Sequence, residues 1–222
     1  IQVLSAPALC KMELRRETLP LFTFVHGTAP FIEDSWRLAT DGNAIVDCLV
    51  SQIRALGGEV LTNKEVVSLV EEGGVLTKAQ CSDGTEYVAK WFVSNAHPAV
   101  TFELVKESKV MKNIFRRRML MQPNTHGIYT LHLQLKDGAL EYFNHNKIIL
   151  PTGNCWDIAV GADRKVKGVM ISARYPEKGD KVTNIDILTP MLWDCVSEYA
   201  DSKLFHRPDS YKKLKEEIGR QC

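Results

Sequence analysis

The feature that most constrains this chain is a change of period between residues 41 and 98. Asp41-Gly42-Asn43 supplies helix-start chemistry, since Asp and Asn side chains accept hydrogen bonds from free backbone N–H groups. Ile45, Val46, Leu49, Ile53 and Leu56 then recur at spacings of three and four and form one apolar helix face. Gly57-Gly58 stops this helix, expected over residues 43–56, with the first glycine suited to a left-handed cap. After it the helical period gives way to short β-branched and apolar runs bounded by turns. Short strands are expected at Glu59–Thr62, Glu65–Glu71, Val75–Cys81 and Thr85–Trp91, punctuated by turns at Gly73-Gly74 and Asp83-Gly84. Trp91-Phe92-Val93 suits a buried strand, and Ser94-Asn95-Ala96-His97-Pro98 closes it as a polar turn.

The rest of the chain extends the mixture. Residues 1–34 hold no strong period, and Pro20 and Pro30 mark extended or turn segments there. Ala99–Leu120 reads as helix, with Arg116-Arg117-Arg118 within it as a solvated face or, alternatively, a contact to an anionic cofactor group or membrane surface. Ile128, Leu131, Leu133 and Leu135 against Thr130, His132 and Gln134 make a half-buried strand over Gly127–Leu135. Further strands are expected at Tyr142-Phe143, Ile148–Leu150, Val169–Ala173 and Val182–Leu188, and helices over Trp193–Leu204 and from Pro208 onward. Gly219 stands where it could close that last helix.

This order is α+β in two lobes. The expected division lies near Pro98–Thr101: a small β-meander lobe over 1–100, and a mixed sheet-and-helix lobe over 101–222 that is cut at its C-terminal end. A start at Ile1 and a last helix without a clear stop suggest an internal piece of a longer chain.

Composition narrows the class of function. The 222 residues carry 28 Lys and Arg against 27 Asp and Glu, a net charge of +1, so no global field favours nucleic acid or anionic lipid. Apolar residues make up 45%, enough for a core, yet no run approaches the ~20 residues of a membrane span. The start lacks a charged segment followed by an apolar one, so no secretory leader is expected. The six cysteines have no C-x-x-C spacing and no histidine at zinc-finger spacing, which points to reduced thiols in the cytoplasm and to no metal. No G-x-S-x-G elbow, H-E-x-x-H helix or P-loop occurs. Glu71-Glu72 and Glu216-Glu217 are adjacent carboxylates that point different ways, and solvation is their default reading. His132, on the polar side of its strand, faces either solvent or a cavity, and no catalytic residue is assigned from spacing alone.

The specific signal is the ordered series from Trp36 to Pro98. Gly57-Gly58-Glu59-Val60, Asn63-Lys64-Glu65-Val66 and Val93-Ser94-Asn95-Ala96 resemble motifs of the phytoene desaturase-like branch of FAD-dependent oxidoreductases. That branch includes carotenoid isomerases and retinol saturases and is related to the flavin amine oxidases. The rest of the chain fits the family in its order of elements. The resemblance implies FAD as cofactor of the whole protein and an apolar substrate, a polyene or an isoprenoid. It implies that Val66 binds adenine through its backbone groups, which read the base edge without a side chain. It implies that Ser94, Asn95 and Ala96 turn beside the cofactor, and that Thr40, Asp41 and Gly42 stand near the flavin and the substrate entrance.

The chain departs from the family twice: Asp41-Gly42 replaces a double glycine, and His97 replaces an aspartate. The G-x-G-x-x-G loop whose helix N-terminus cradles the pyrophosphate is absent from these residues, as is the acidic ribose ligand. Tight FAD binding by these residues alone is therefore not expected, and the remaining N- and C-terminal parts of the same chain are the expected partners. The lobe from Thr101 to Leu204 is the candidate substrate wall, in which Ile128, Leu131, Leu133, Leu135, Ile148, Leu150 and Trp193 either line a pocket or form a core. Docking on a bilayer surface is compatible with an apolar substrate. Two alternatives stand beside this reading: a non-catalytic α+β binding module, and a segment of a flavin amine oxidase or protoporphyrinogen oxidase.

Overall fold

The computed structural model describes residues 5, 17–176, 179–203 and 205–222. They form helices and two antiparallel sheets, an α+β fold. The chain divides into two compact units. One is Val46–Asn124; the other combines the residues up to Ile45 with Thr125–Cys222. The boundary expected near Pro98–Thr101 thus falls inside the first of these, and the other unit is built from chain on both sides of it.

The unit Val46–Asn124 holds most of the amphipathic helix, Asn43–Ala55, here α2. Asp41 Oδ1 accepts from Asn43 N at 3.0 Å and opens it. Gly57, at φ +80°, closes it, and Gly58 N–H reaches back to the Ile53 carbonyl at 2.8 Å. Three strands follow: β1 (Val66–Glu72), β2 (Val75–Cys81) and β3 (Glu86–Val88), in that spatial order. Gly73 and Gly74 join β1 to β2 with φ of +61° and +86°, the left-handed pair a two-residue hairpin turn requires. The next loop is one residue longer than expected. Cys81 N–H bonds Thr85 O across Ser82–Gly84, and Gly84 sits at φ +82°. Glu59–Thr62 and Trp91–Val93 form no strand; Val93 is 98% exposed. The sheet of this unit ends at β3, and neither segment joins it.

The long helix expected over Ala99–Leu120 is two helices, α3 (Pro98–Leu104) and α4 (Asn113–Leu120). Glu71 explains the break. Its carboxylate accepts from Ser108 Oγ–H and, at 2.8 Å, from Lys109 N–H, which ties the intervening turn to the end of β1. Ser108 Oγ then accepts from Met111 N at 2.9 Å. Glu71 is therefore not merely solvated. The Ser108 hydroxyl foremost, then the Lys109 amide, hold its carboxyl below the ordinary glutamate range. Phe102 and Phe115 meet edge to face at 5.4 Å between α3 and α4. Arg117 and Arg118 are exposed as expected, while Arg116 donates to the Lys106 carbonyl at 2.9 Å.

In the other unit lies α1 (Leu21–Glu33), where no helix was expected. Pro20 is extended at its N-cap, and Pro30 lies inside it. Pro30 falls in the last turn, so it removes one backbone bond near the end rather than breaking the middle. The sheet is β4 (Gly127–Gln134), β7 (Asn184–Met191), β6 (Val169–Ala173) and β5 (Lys147–Ile149), in that order and antiparallel throughout. Tyr142-Phe143 is not a strand; only a Glu141–Lys181 bridge remains there. Two single turns of 3₁₀-helix, Trp193–Cys195 and Ser197–Tyr199, replace the expected helix from Trp193, whose last residue, Leu204, lies outside the described residues. The final helix, α5 (Asp209–Gln221), buries Leu214 and Ile218 against Val160, Cys195 and Tyr199. Gly219 lies within α5, not at its end.

Candidate functional site

The two faces of the four-stranded sheet differ in chemistry. Residues paired directly across an antiparallel sheet put their side chains on the same face. Leu131 pairs with Ile187 and Leu133 with Ile185, and Tyr129 of this set donates through its hydroxyl to Lys215 O of α5 at 2.8 Å. This is the core side. The opposite face carries Ile128, Thr130 and His132 from β4, Leu188 and Asp186 from β7, Met170 and Ser172 from β6, and Ile148 from β5. Most of these are only half-buried.

At one end of that face three strands bring together a polar cluster. His132 and Asp186 are direct partners in the β4–β7 register. His132 Nδ1 lies 2.5 Å from Asp186 Oδ1. Arg174, one residue past β6, donates from Nε to Asp186 Oδ2 and from Nη2 to Oδ1, both at 3.0 Å. The fork is the bidentate geometry that suits guanidinium and carboxylate. Burial acts to raise the Asp186 carboxyl, but the bonds from Arg174 and His132 together outweigh it and hold it below the ordinary aspartate range. Arg174 is held above its usual value, by Asp186 first, and the carboxylate field of Asp41 adds to this.

Toward β6 and β5 on the same face lies a cavity of about 750 Å³. Ile148 and Met170 form part of its floor, and Pro30, Trp36 and Arg37 part of its wall. Arg37 donates to the Ala173 carbonyl at 2.9 Å and to Asn146 Oδ1 at 3.0 Å, which fastens this wall to the sheet next to Arg174. The residues expected as a substrate wall are therefore divided. Ile128 and Ile148 are on the open face. Leu131 and Leu133 lie on the core side, Leu131 beside Gly219 of α5. Leu150 packs on the core of Cys155 and Ile158, and Trp193 stands exposed on its 3₁₀ turn. Asp186 and Arg174 went unassigned in the sequence. One local signal for Asp186 exists: a lone carboxylate alternates with Ile185 and Ile187 in an apolar strand.

The residues singled out for cofactor binding lie in different units. Val66, Ser94, Asn95 and Ala96 belong to Val46–Asn124, and Gly42 to the other. Val66 opens β1, the edge strand of its sheet. Glu65 O accepts from Ser82 N at 2.9 Å, and Cys81 spends its own N–H on Thr85. Val66 and Cys81 are thus a non-hydrogen-bonded pair, and the peptide groups of Val66 point away from β2 to the open edge. Ser94 Oγ pairs with Thr101 Oγ1 at 2.7 Å and accepts from Ala96 N at 3.3 Å. His97 Nδ1 then caps α3 by accepting from Ala99 N at 3.2 Å. His97 fills, with a ring nitrogen, the capping role an aspartate oxygen can play. The turn leads into α3, which packs against β1. Gly42 has open space where a side chain would stand.

Comparison with protein-family models, with curated proteins and with solved structures finds no match for this chain.

Proposed function

We propose that this chain supplies the adenine-side strand and the substrate-side sheet of an FAD-dependent oxidoreductase of the phytoene desaturase-like type, acting on an apolar polyene or isoprenoid substrate. The chief support is the position of Val66, at the start of an edge strand with its N–H and C=O turned outward. A donor and an acceptor spaced along one strand edge are what the edge of an adenine ring can pair with. The three motifs that carry the resemblance also lie close together in sequence, and the Ser94–Ala96 turn leads into a helix packed on the same strand. These residues fit the adenine end of FAD. They do not fit its pyrophosphate, because no G-x-G-x-x-G loop opens a helix among them. When bound, the flavin would supply the hydride chemistry. The open face of the four-stranded sheet, with Ile128, Ile148, Met170 and Leu188, would supply an apolar wall.

Two measurements test this. Purified in its natural full-length form, the protein should carry stoichiometric FAD, visible as flavin absorbance; a colourless protein that takes up no FAD sinks the reading and favours the non-catalytic binding module. Val66→Pro removes the outward N–H at the first residue of an edge strand, a position where proline is tolerated. The variant should fold normally and bind FAD about 5- to 10-fold more weakly, the loss of one hydrogen bond.

A further inference from the structure

The polar cluster on the open sheet face has a polarity of its own. Asp186 is mostly buried, its side chain 21% exposed, and accepts both arms of the Arg174 fork. The third close contact is His132 Nδ1 at 2.5 Å, a distance at which a carboxylate needs a hydrogen between the two atoms. Nδ1 therefore carries the proton. Arg174 Nη2, also a donor, is 3.2 Å from the same nitrogen and adds no acceptor there. A neutral imidazole protonated on Nδ1 has its lone pair on Nε2. The His132 side chain is 65% exposed, so this lone pair is accessible on the face that bears the cavity.

The apolar floor lies one step away. Asp186 and Leu188 are two residues apart on β7, so the layer Ile148–Met170–Leu188–Thr130 is ~7 Å from the layer Ser172–Asp186–His132. Arg37 spans the two regions, lining the cavity and bonding the carbonyl next to Arg174. The positive charge of Arg174 is matched by Asp186, with Asp41 adding further negative field, whereas the Arg37 guanidinium at the cavity wall is bonded to two neutral acceptors, the Ala173 carbonyl and Asn146 Oδ1. What the neutral form of His132 adds is an acceptor, Nε2, on the face that bears the apolar floor.

We infer that Nε2 of His132 in its neutral form, with the Nδ1–H tautomer held by Asp186, is a hydrogen-bond anchor for the hydroxyl end of an apolar alcohol whose chain lies over Met170, Leu188 and Ile148. The site is in the unit that lacks Val66, and its test contains no flavin, so it stands or falls separately from the oxidoreductase reading.

The probes are 1-octanol, its methyl ether and octanoate, titrated into the 222-residue chain and followed by nitrogen NMR of the labelled imidazoles. In the free protein His132 should be protonated on Nδ1. On addition of 1-octanol its Nε2 signal should move upfield. The ether, which has no O–H, should bind about 5- to 10-fold more weakly, as expected for one lost hydrogen bond. Octanoate should gain nothing over the alcohol. His132→Phe should bring alcohol and ether to the same affinity, and Asp186→Asn should scatter the tautomer. A proton found on Nε2, equal affinities for alcohol and ether in the unaltered chain, tighter binding of octanoate, or no saturable binding of any probe each overturns the proposal.

Discussion

Gly219 breaks a run of good helix formers in α5, and its reason is a neighbour on another element. A Cβ built there would lie 2.9 Å from Tyr129 Oη, the hydroxyl that donates to the Lys215 carbonyl. The cost of glycine inside a helix, roughly 0.5–1 kcal/mol against alanine, is accepted so that helix and strand can approach. Thr189 poses the opposite case. It is fully buried on the core side of β7, and its hydroxyl has no hydrogen-bond partner. Thr189→Val keeps the shape and removes the unpaired group, so it should stabilise the protein by about 1–2 kcal/mol, read as a higher urea midpoint at unchanged slope. The thiols divide by burial. Cys48 is exposed, while Cys81, Cys155 and Cys195 are buried, and burial pushes the Cys155 and Cys195 thiols up. Alkylation followed by mass spectrometry should label Cys48 first and reach Cys155 and Cys195 only after denaturant is added.

At the scale of elements, long-range pairing decides where local period is ambiguous. The apolar spacing of residues 99–120 is that of one helix, yet Glu71 at the end of β1 takes the Ser108 hydroxyl and the Lys109 amide and divides it in two. The same holds for the β4–β7–β6 cluster, where the Arg174–Asp186 ion pair and the His132–Asp186 hydrogen bond link three strands. Because the Asp186 carboxyl is held below its ordinary value, its contribution to stability is present in full above the ordinary aspartate pKa, about 3.9, and is lost as pH falls through the lower folded value. Asp186→Asn should therefore destabilise the protein by about 1–2 kcal/mol at neutral pH, and the gap from the unaltered chain should close below about pH 4. Urea titrations of both proteins between pH 2 and 7 measure this; a gap that stays constant across that range refutes the role of the ion pair.

At the scale of the whole molecule, each unit has its own sheet. Among the described residues no helix is long and apolar enough to cross a membrane. The unit Val46–Asn124 holds the motifs behind the flavin reading, and the other holds the cavity and the His132 cluster. The α2 helix keeps Ile45, Val46, Leu49 and Ile53 between 42% and 58% exposed, so its apolar face, plain in the sequence, is not spent on burial within the structure.

What the sequence determined by itself is what neighbours a few residues apart can determine. The period of α2, its Asp41 start and its Gly57-Gly58 stop, the Gly73-Gly74 hairpin and the alternation of β4 were all legible, because caps, turns and side-chain period act within one or two turns of chain. The change of period between residues 41 and 98 likewise made the α+β class evident. Tertiary structure alone decided that α1 tolerates Pro30, that Trp91–Val93 stays out of a sheet, and that the units divide outside the expected boundary. It also decided which face of β4 is core, and that His132 meets Asp186, 54 residues further on. Cross-strand register depends on which segments the whole chain brings side by side, and no local spacing carries that information.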